Sequence, residues 1–293
     1  MLEEYLNKYY DKDIVNKIKI GLTKRVTSLR INTLKTNKEE IIDILNKNNI
    51  KYEEVTWYKD ALIIHSDKEE IVKLNIYEDG LIYLQSLSSM IPPLILNPNN
   101  NEQILDMTAA PGSKTSEIAS LANNNALITA VERNKKRFER LKYNMDKLGV
   151  KKINLMQLDA LDIDEYYSFD KILLDAPCSG SGTLSNIEEF DDKLLNVAKI
   201  QERLLDKAIK LVKEDGYIVY STCSILDLEN EDIINKILKK YSNIELIKID
   251  KSLFKDIELL PSKMDEIIKV LPTKYYEGFF ISILKKNKKW YYI

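Results

Sequence analysis

From Gln103 onward, short apolar runs alternate with stretches of helical periodicity, and this alternation predicts a largely parallel α/β sheet. The strand candidates are Ile104–Asp106, Ala126–Val131, Ile153–Gln157, Lys171–Asp175, Tyr217–Ser221, Ile244–Ile249 and Phe279–Leu284. Helical patterns lie between them near 113–122, 134–148, 191–213 and 227–240. The first 80 residues follow a different rhythm. Ser28–Leu34 sets Leu29, Ile31 and Thr33 against Arg30 and Asn32, the period of a half-buried strand. Asn37-Lys38-Glu39-Glu40 ahead of Ile41, Ile42, Ile44 and Leu45 predicts a capped amphipathic helix. Val55–Ile64 supplies one or two further strands. The chain thus divides into a small α+β unit, 1–80, and an α/β unit, 81–293, with Gly80–Pro93 as the turn between them.

The chain's only two cysteines both stand just past strand candidates. Cys178 lies in Asp175-Ala176-Pro177-Cys178-Ser179-Gly180 and Cys223 in Ser221-Thr222-Cys223-Ser224. Ligands and reacting groups gather beyond the carboxyl ends of the strands in an open α/β sheet, so the two thiols are expected to share one site. The single histidine, His65, ends a strand candidate far from both, which leaves no residues for a histidine triad or a zinc-type cluster. No metal is expected. Two cysteines in 293 residues are not a disulfide framework, which fits a reducing cytoplasm.

Asp106-Met107-Thr108-Ala109-Ala110-Pro111-Gly112-Ser113-Lys114-Thr115 also leaves a strand and opens a helix. Small residues let the backbone approach a ligand, and the helix start offers N–H groups to a carboxylate. A nucleotide P-loop needs glycine directly before the lysine and another five residues earlier; Ser113 and Thr108 stand there, which rejects it. The second strand ends at Glu132, about 20 residues past the glycine turn, where an acid typically binds ribose hydroxyls. The third ends in Asp159, whose carboxylate can accept from an adenine amino group. Gly180-Ser181-Gly182 reads as loop.

Composition narrows the class. With 44% hydrophobic and 31% charged residues the chain is an ordinary globular one, and a net charge of −2 leaves any polyanion to a local patch. Met90–Leu96 is too short to cross a bilayer and carries prolines, and the acidic start Met1-Leu2-Glu3-Glu4 lacks a signal-peptide layout. Two basic runs stand out: Lys12–Lys38, eight Lys/Arg against Asp13, and Arg133–Lys152, nine against Glu139 and Asp146. Either serves equally as a solvated helix face. In the first, Arg25, Arg30, Asn32 and Lys35 are the candidate RNA contacts, because one strand face would carry cationic and amide groups suited to phosphates and base edges. The tail Lys285, Lys286, Lys288 and Lys289 ahead of Trp290-Tyr291-Tyr292 joins cations to rings that can stack on bases, or is a frayed end.

Read in order, Arg30–Lys35, Tyr83-Leu84-Gln85 with Ser88-Ser89-Met90, DMTAAPGSKT (Asp106–Thr115), DAPCSG (Asp175–Gly180), YSTCS (Tyr220–Ser224) and EGFF (Glu277–Phe280) cover nearly the whole chain. Together they resemble the RNA cytosine-C5 methyltransferases of the NSUN/RsmB type. The resemblance implies a class I methyltransferase fold, Rossmann-like, with a seven-stranded mostly parallel sheet and a small RRM-like N-terminal domain. It implies S-adenosylmethionine as cofactor, held by Thr108, Ala109, Ala110, Pro111, Gly112, Ser113, Lys114, Glu132, Arg137, Asp159 and Asp175. Cys223 would be the nucleophile and Cys178 would assist release, with Asp175 and Lys114 completing the catalytic set. The chain departs from the family pattern at Thr108, usually Cys, at Ser113, usually Gly, and near Thr273, where a His is often found.

The chemistry explains those residue types. C5 of cytosine is too weak a nucleophile to take a methyl group directly, whereas a thiolate added at C6 makes the ring enamine-like. The C5 proton must then leave before the thiol is expelled. A free thiol titrates near ~8.5, so its surroundings must activate it. Asp175 is expected at the N3–N4 edge of the base, Lys114 to orient the base or its loop, and Cys178, or a water it holds, to help take the C5 proton. Pro177-Cys178 also matches the Pro-Cys pair of DNA cytosine-C5 methyltransferases, so a DNA enzyme attacking through Cys178 is one alternative. A non-catalytic RNA-binding or assembly factor is another. The expected partner is RNA, tRNA or rRNA, without a membrane, for a monomeric cytoplasmic chain.

Overall fold

The computed structural model describes residues 2–190 and 196–288. The start of the helical pattern at 191–195 and the tail Lys289–Tyr292 lie outside the described residues. Helices α1 (Leu2–Leu6) and α2 (Lys12–Gly21) open the chain, and the Asp11 carboxylate caps α2 by accepting from Ile14 N at 2.9 Å. Their apolar faces, Leu2, Leu6, Val15 and Ile18, bury against Leu226, Leu260 and Leu271 of the second unit.

The first sheet follows: β1 (Thr27–Ile31), α3 (Lys38–Lys47), β2 (Tyr52–Glu54), β3 (Ala61–Ile64), α4 (Lys68–Val72), α5 (Asn75–Glu78) and β4 (Ile82–Leu84). Its strands run in the order β2-β3-β1-β4, each antiparallel to its neighbour. Asn37 caps α3 as the sequence predicts, accepting from Glu40 N at 2.9 Å, and Ile41 and Leu45 bury against Leu29 and Ile31. The pairing of β4 with β1 carries this sheet past residue 80, to Leu84. Three residues of β4 are too few for their alternation to announce a strand; the pairing defines it.

The second unit contains α6 (Leu87–Leu96), β5 (Gln103–Asp106), α7 (Ser113–Leu121), β6 (Leu127–Val131), α8 (Lys135–Lys147), β7 (Ile153–Met156) and β8 (Phe169–Asp175). It continues with α9 (Ala198–Leu211), β9 (Val212–Thr222), α10 (Glu231–Lys240), β10 (Ile244–Ile247), β11 (Ile268–Val270) and β12 (Phe279–Lys286). Among the described residues these form an eight-stranded sheet, order β10-β12-β9-β8-β5-β6-β7, with β11 on β12. β9, β8, β5, β6 and β7 pair in parallel, and β12 runs antiparallel to β9, β10 and β11. The sheet is therefore mixed, with β11 added to the seven expected strands. Lys269 at the centre of β11 hides that strand from an apolar pattern: it is fully buried, donating to Asp227 and Glu231. Alternate residues enter two cores. Leu105, Ile172, Leu174 and Ile218 face α9 and α10; Ile104, Leu173 and Val219 face α6 and α7. No helix among the described residues is long and apolar enough to cross a membrane.

The seam between the units corrects the expected RNA face of β1. Arg30 is fully buried, donating from Nε to Gln85 Oε1 at 3.1 Å, from Nη2 to Ser116 Oγ at 2.7 Å and from Nη1 to Ser120 Oγ at 3.3 Å. Asn32, also buried, donates to Gly80 O at 2.7 Å and Leu148 O at 2.9 Å. Lys35 and Arg25 lie outside the strand and are not withdrawn from the surface: exposed Lys35 donates to Asp79 O at 2.7 Å and Lys147 O at 2.8 Å, and half-buried Arg25 to Gly182 O at 2.9 Å and to Leu184 O. The polar side of this half-buried strand meets protein rather than water, a distinction that alternation alone does not carry.

Glu117 of α7 lies 3.9 Å from Arg30 Nε and accepts from Gln85 Nε2 at 2.7 Å. Burial pushes its carboxyl up to about 8, against the pull of Arg30, Gln85 and Lys114. The folded state thus keeps a proton that the unfolded chain releases from pH 4.5 upward. The stability this gives is full below that pH and declines as pH rises through about 8. In urea titrations Glu117→Gln is expected to flatten that decline; parallel wild-type and variant curves from pH 5 to 8 would refute it.

Candidate active site

β5, β6, β7, β8 and β9 end on one edge of the sheet, and the segments that follow them enclose a cleft of about 350 Å³. The turn between β5 and α7 forms one side. Gly112 adopts φ +105°, a conformation that residues with a Cβ rarely adopt, so any other residue there would be strained. Thr108 and Ala110 line the cleft, while Ala109, Pro111, Gly112 and Ser113 complete the turn that leads into α7. Thr108 Oγ1 donates to Asp175 O at 2.8 Å and ties this turn to the end of β8.

Glu132, Arg137 and Asp159 line the same cleft. The Glu132 carboxylate is nearly buried, accepting from Asn134 N at 2.7 Å and pairing with Arg137 Nη1 at 3.4 Å. Arg137 also donates to Ala110 O at 2.7 Å, which fixes the turn against α8. Asp159 accepts from Leu161 N at 3.0 Å and pairs with Arg133 at 3.2 Å. The sequence reading missed the apolar wall between these acids, made by Val131, Leu158, Leu161, Ile200 and Leu204. Val131 ends β6 and Leu158 closely follows β7, a signal the sequence offered; Leu161 sits in the 3-10 turn beyond, and Ile200 and Leu204 come from α9, which only the fold brings there.

The floor of the cleft holds Asp175, Cys178 and Cys223. Asp175 accepts from Lys114 Nζ at 2.7 Å and from Ser221 Oγ at 2.8 Å. Burial works against the charge of Lys114, but Asp175, with Cys223 and Asp106, holds its ammonium above the ordinary lysine range. That ammonium also lies 5.4 Å from the centre of the Phe279 ring, in the EGFF stretch. Beneath it Asp106 accepts from Thr115 Oγ1 at 2.7 Å, and burial pushes its carboxyl up to about 6. The two sulfurs are free and 2.8 Å apart. The hydrogen bond to Cys223, together with burial, pushes the Cys178 thiol well up. Two side chains that the sequence reading gave no role lie beside the pair: Ser221, which donates to Asp175, and Glu229, which accepts from Ser179 and Ser224. No group of three His, Cys, Asp or Glu able to hold a metal occurs among the described residues.

Comparison with known proteins agrees with this geometry. The chain is similar to the ribosomal RNA small subunit methyltransferase F of Shewanella amazonensis, 33% identical over 278 residues, covering 91% of this chain and 59% of that protein. It thus spans little more than half the length of that relative. Among solved structures, a methyltransferase homolog from Pyrococcus horikoshii is 32% identical, with a TM-score of 0.81 over 97% of this chain and 98% of that one. NSun6 from Pyrococcus horikoshii, solved with SFG, is 25% identical, with a TM-score of 0.86 over 98% of each chain. The sequence model described as 16S rRNA methyltransferase RsmB/F matches residues 93–285. With that match spanning the cleft, both thiols and the strands that carry them, the chain belongs to the RsmB/F methyltransferase family.

Proposed function

We propose that this protein transfers a methyl group from S-adenosylmethionine to C5 of cytosine in RNA through a covalent Cys223–C6 adduct. The observation that carries the reading is the pair of thiols 2.8 Å apart on the floor of a cleft that also presents Asp175 bound to Lys114. The donor set fits the cofactor: Glu132 offers a carboxylate to ribose hydroxyls, Asp159 one to an amino group, and the apolar wall suits an adenine ring. When bound, S-adenosylmethionine supplies the electrophilic methyl group.

The protein's own residues do the rest. The Cys223 thiolate, its proton released to solvent, forms the S–C6 bond while the C5–C6 electron pair shifts toward N3. There the ring takes a proton from solvent that it returns when the adduct breaks down. Asp175, held by Lys114 and Ser221, accepts from the N3–N4 edge as that charge builds, a contact whose loss typically costs about 100-fold or more. Once C5 carries the methyl group, its proton leaves with help from Cys178 or a water there. The S–C6 bond then breaks, its electron pair staying with sulfur. A Cys178 thiol held protonated by its surroundings is the poorer attacker, which favours Cys223 over the DNA-type assignment. The name of the Shewanella relative favours ribosomal over transfer RNA. The βαββαβ order of residues 27–84 supports an RRM-like unit, here read as the RNA-contacting part of a cytoplasmic, monomeric enzyme. With tritiated S-adenosylmethionine, label is expected as 5-methylcytosine in RNA. Label confined to DNA, or none in any nucleic acid, would overturn the reading.

A further inference from the structure

Ser179 and Ser224 directly follow Cys178 and Cys223, and one buried carboxylate holds both. Glu229 Oε1 accepts from Ser179 N at 2.8 Å and Gln201 Nε2 at 3.3 Å; Oε2 accepts from Ser179 Oγ at 2.6 Å and from Ser224 Oγ. Glu229 is itself anchored, its backbone oxygen accepting from Tyr220 OH of β9 at 2.7 Å. Its neighbour Asn230 grips the second loop, accepting from Thr222 Oγ1 at 2.6 Å and donating to Ser224 O at 2.9 Å. A direct tie, Ser181 Oγ to Ser224 Oγ at 2.9 Å, and Gly182 N to Cys223 O at 3.0 Å, complete the bracket.

Building on the reading of Cys223 as nucleophile and Cys178 as its assistant, we propose that Glu229 is a positioning residue for that reaction. It fixes the spacing of the two sulfurs and sets the charge behind Cys178. Holding a carboxylate in the interior on neutral donors is costly, and a glutamine would span the same gap. The charge has a use beyond reach. After the hydrogen bond to Cys223 and burial, the charge of Glu229 also pushes the Cys178 thiol up, against the Gly180 N–H. Cys178 thereby stays protonated beside an attacking Cys223.

The test uses the full chain with Glu229→Gln, which keeps the shape and removes the charge. Iodoacetamide labelling of Cys178 across pH, read by peptide mass spectrometry without RNA, is expected to move to lower pH. The single-turnover methylation rate is expected to fall about 100-fold, the scale on which a mistuned proton-transfer group costs rate. A folded variant with wild-type labelling and wild-type rate overturns the proposal. Should E229Q not fold, Ser224→Ala removes one leg of the bracket and leaves the charge. The rate should then fall while the Cys178 labelling profile holds, and an unchanged rate overturns the proposal. If the wild-type protein methylates no RNA, the activity reading fails, and the labelling profile alone decides the role of Glu229.

Discussion

Cys223→Ala is expected to abolish methyl transfer and to leave no protein–RNA complex on a denaturing gel. Cys178→Ala is expected to cut turnover at least about 100-fold while a covalent complex accumulates. The difference follows from where each sulfur acts. Without the Cys223 sulfur no S–C6 bond forms, C5 never gains electron density, and nothing later in the sequence can occur. Without Cys178 the addition still proceeds, because Asp175, Lys114 and Ser221 remain in place to receive the base. What fails is loss of the C5 proton, so the S–C6 bond cannot break and the adduct persists. The two thiols are close enough that either could reach one ring, so distance does not choose between them. Protonation does: the surroundings of Cys178 oppose its thiolate. A trapped complex with Cys223→Ala and none with Cys178→Ala would reassign the nucleophile to the Pro177-Cys178 pair.

Much of this site was legible because strand ends announce themselves. An apolar run followed by Asp175-Ala176-Pro177-Cys178, or by Cys223, places its last residues on the active edge whatever the helices do. The acids at Glu132 and Asp159 were found in the same way. Side chains reaching the cleft from elsewhere were not. Ile200 and Leu204 sit on the inner face of a long helix, and nothing in that pattern tells a core contact from a cleft wall. Glu229 sits in a short 3-10 turn where an acid normally reads as solvated; only the convergence of two loops makes it interior. β11 was hidden by a buried lysine and β4 by its length. The basic strand Thr27–Ile31 misled for the same physical reason: alternation reports that one face is polar, not what that face meets.

Arg30→Met is accordingly expected to destabilise the protein by about 2 kcal/mol or more, the range for leaving buried polar groups without a hydrogen-bond partner. The guanidinium is fully buried between β1 and α7, and its loss leaves Gln85 Oε1 and Ser116 Oγ without their donor and removes the cation 3.9 Å from Glu117. Because Glu117 touches both Arg30 and Gln85, Arg30→Met and Glu117→Gln should be non-additive in a double-mutant cycle. Methylation should fall as well, because α7 opens on Ser113, whose carbonyl also accepts from Arg30, and on Lys114, which holds Asp175. A phosphate contact behaves otherwise: Arg30→Met would then leave the urea midpoint unchanged and lower both RNA affinity and its salt dependence. An unchanged midpoint with a reduced salt slope would return Arg30 to the RNA surface and break the proposed link between the N-terminal sheet and Lys114.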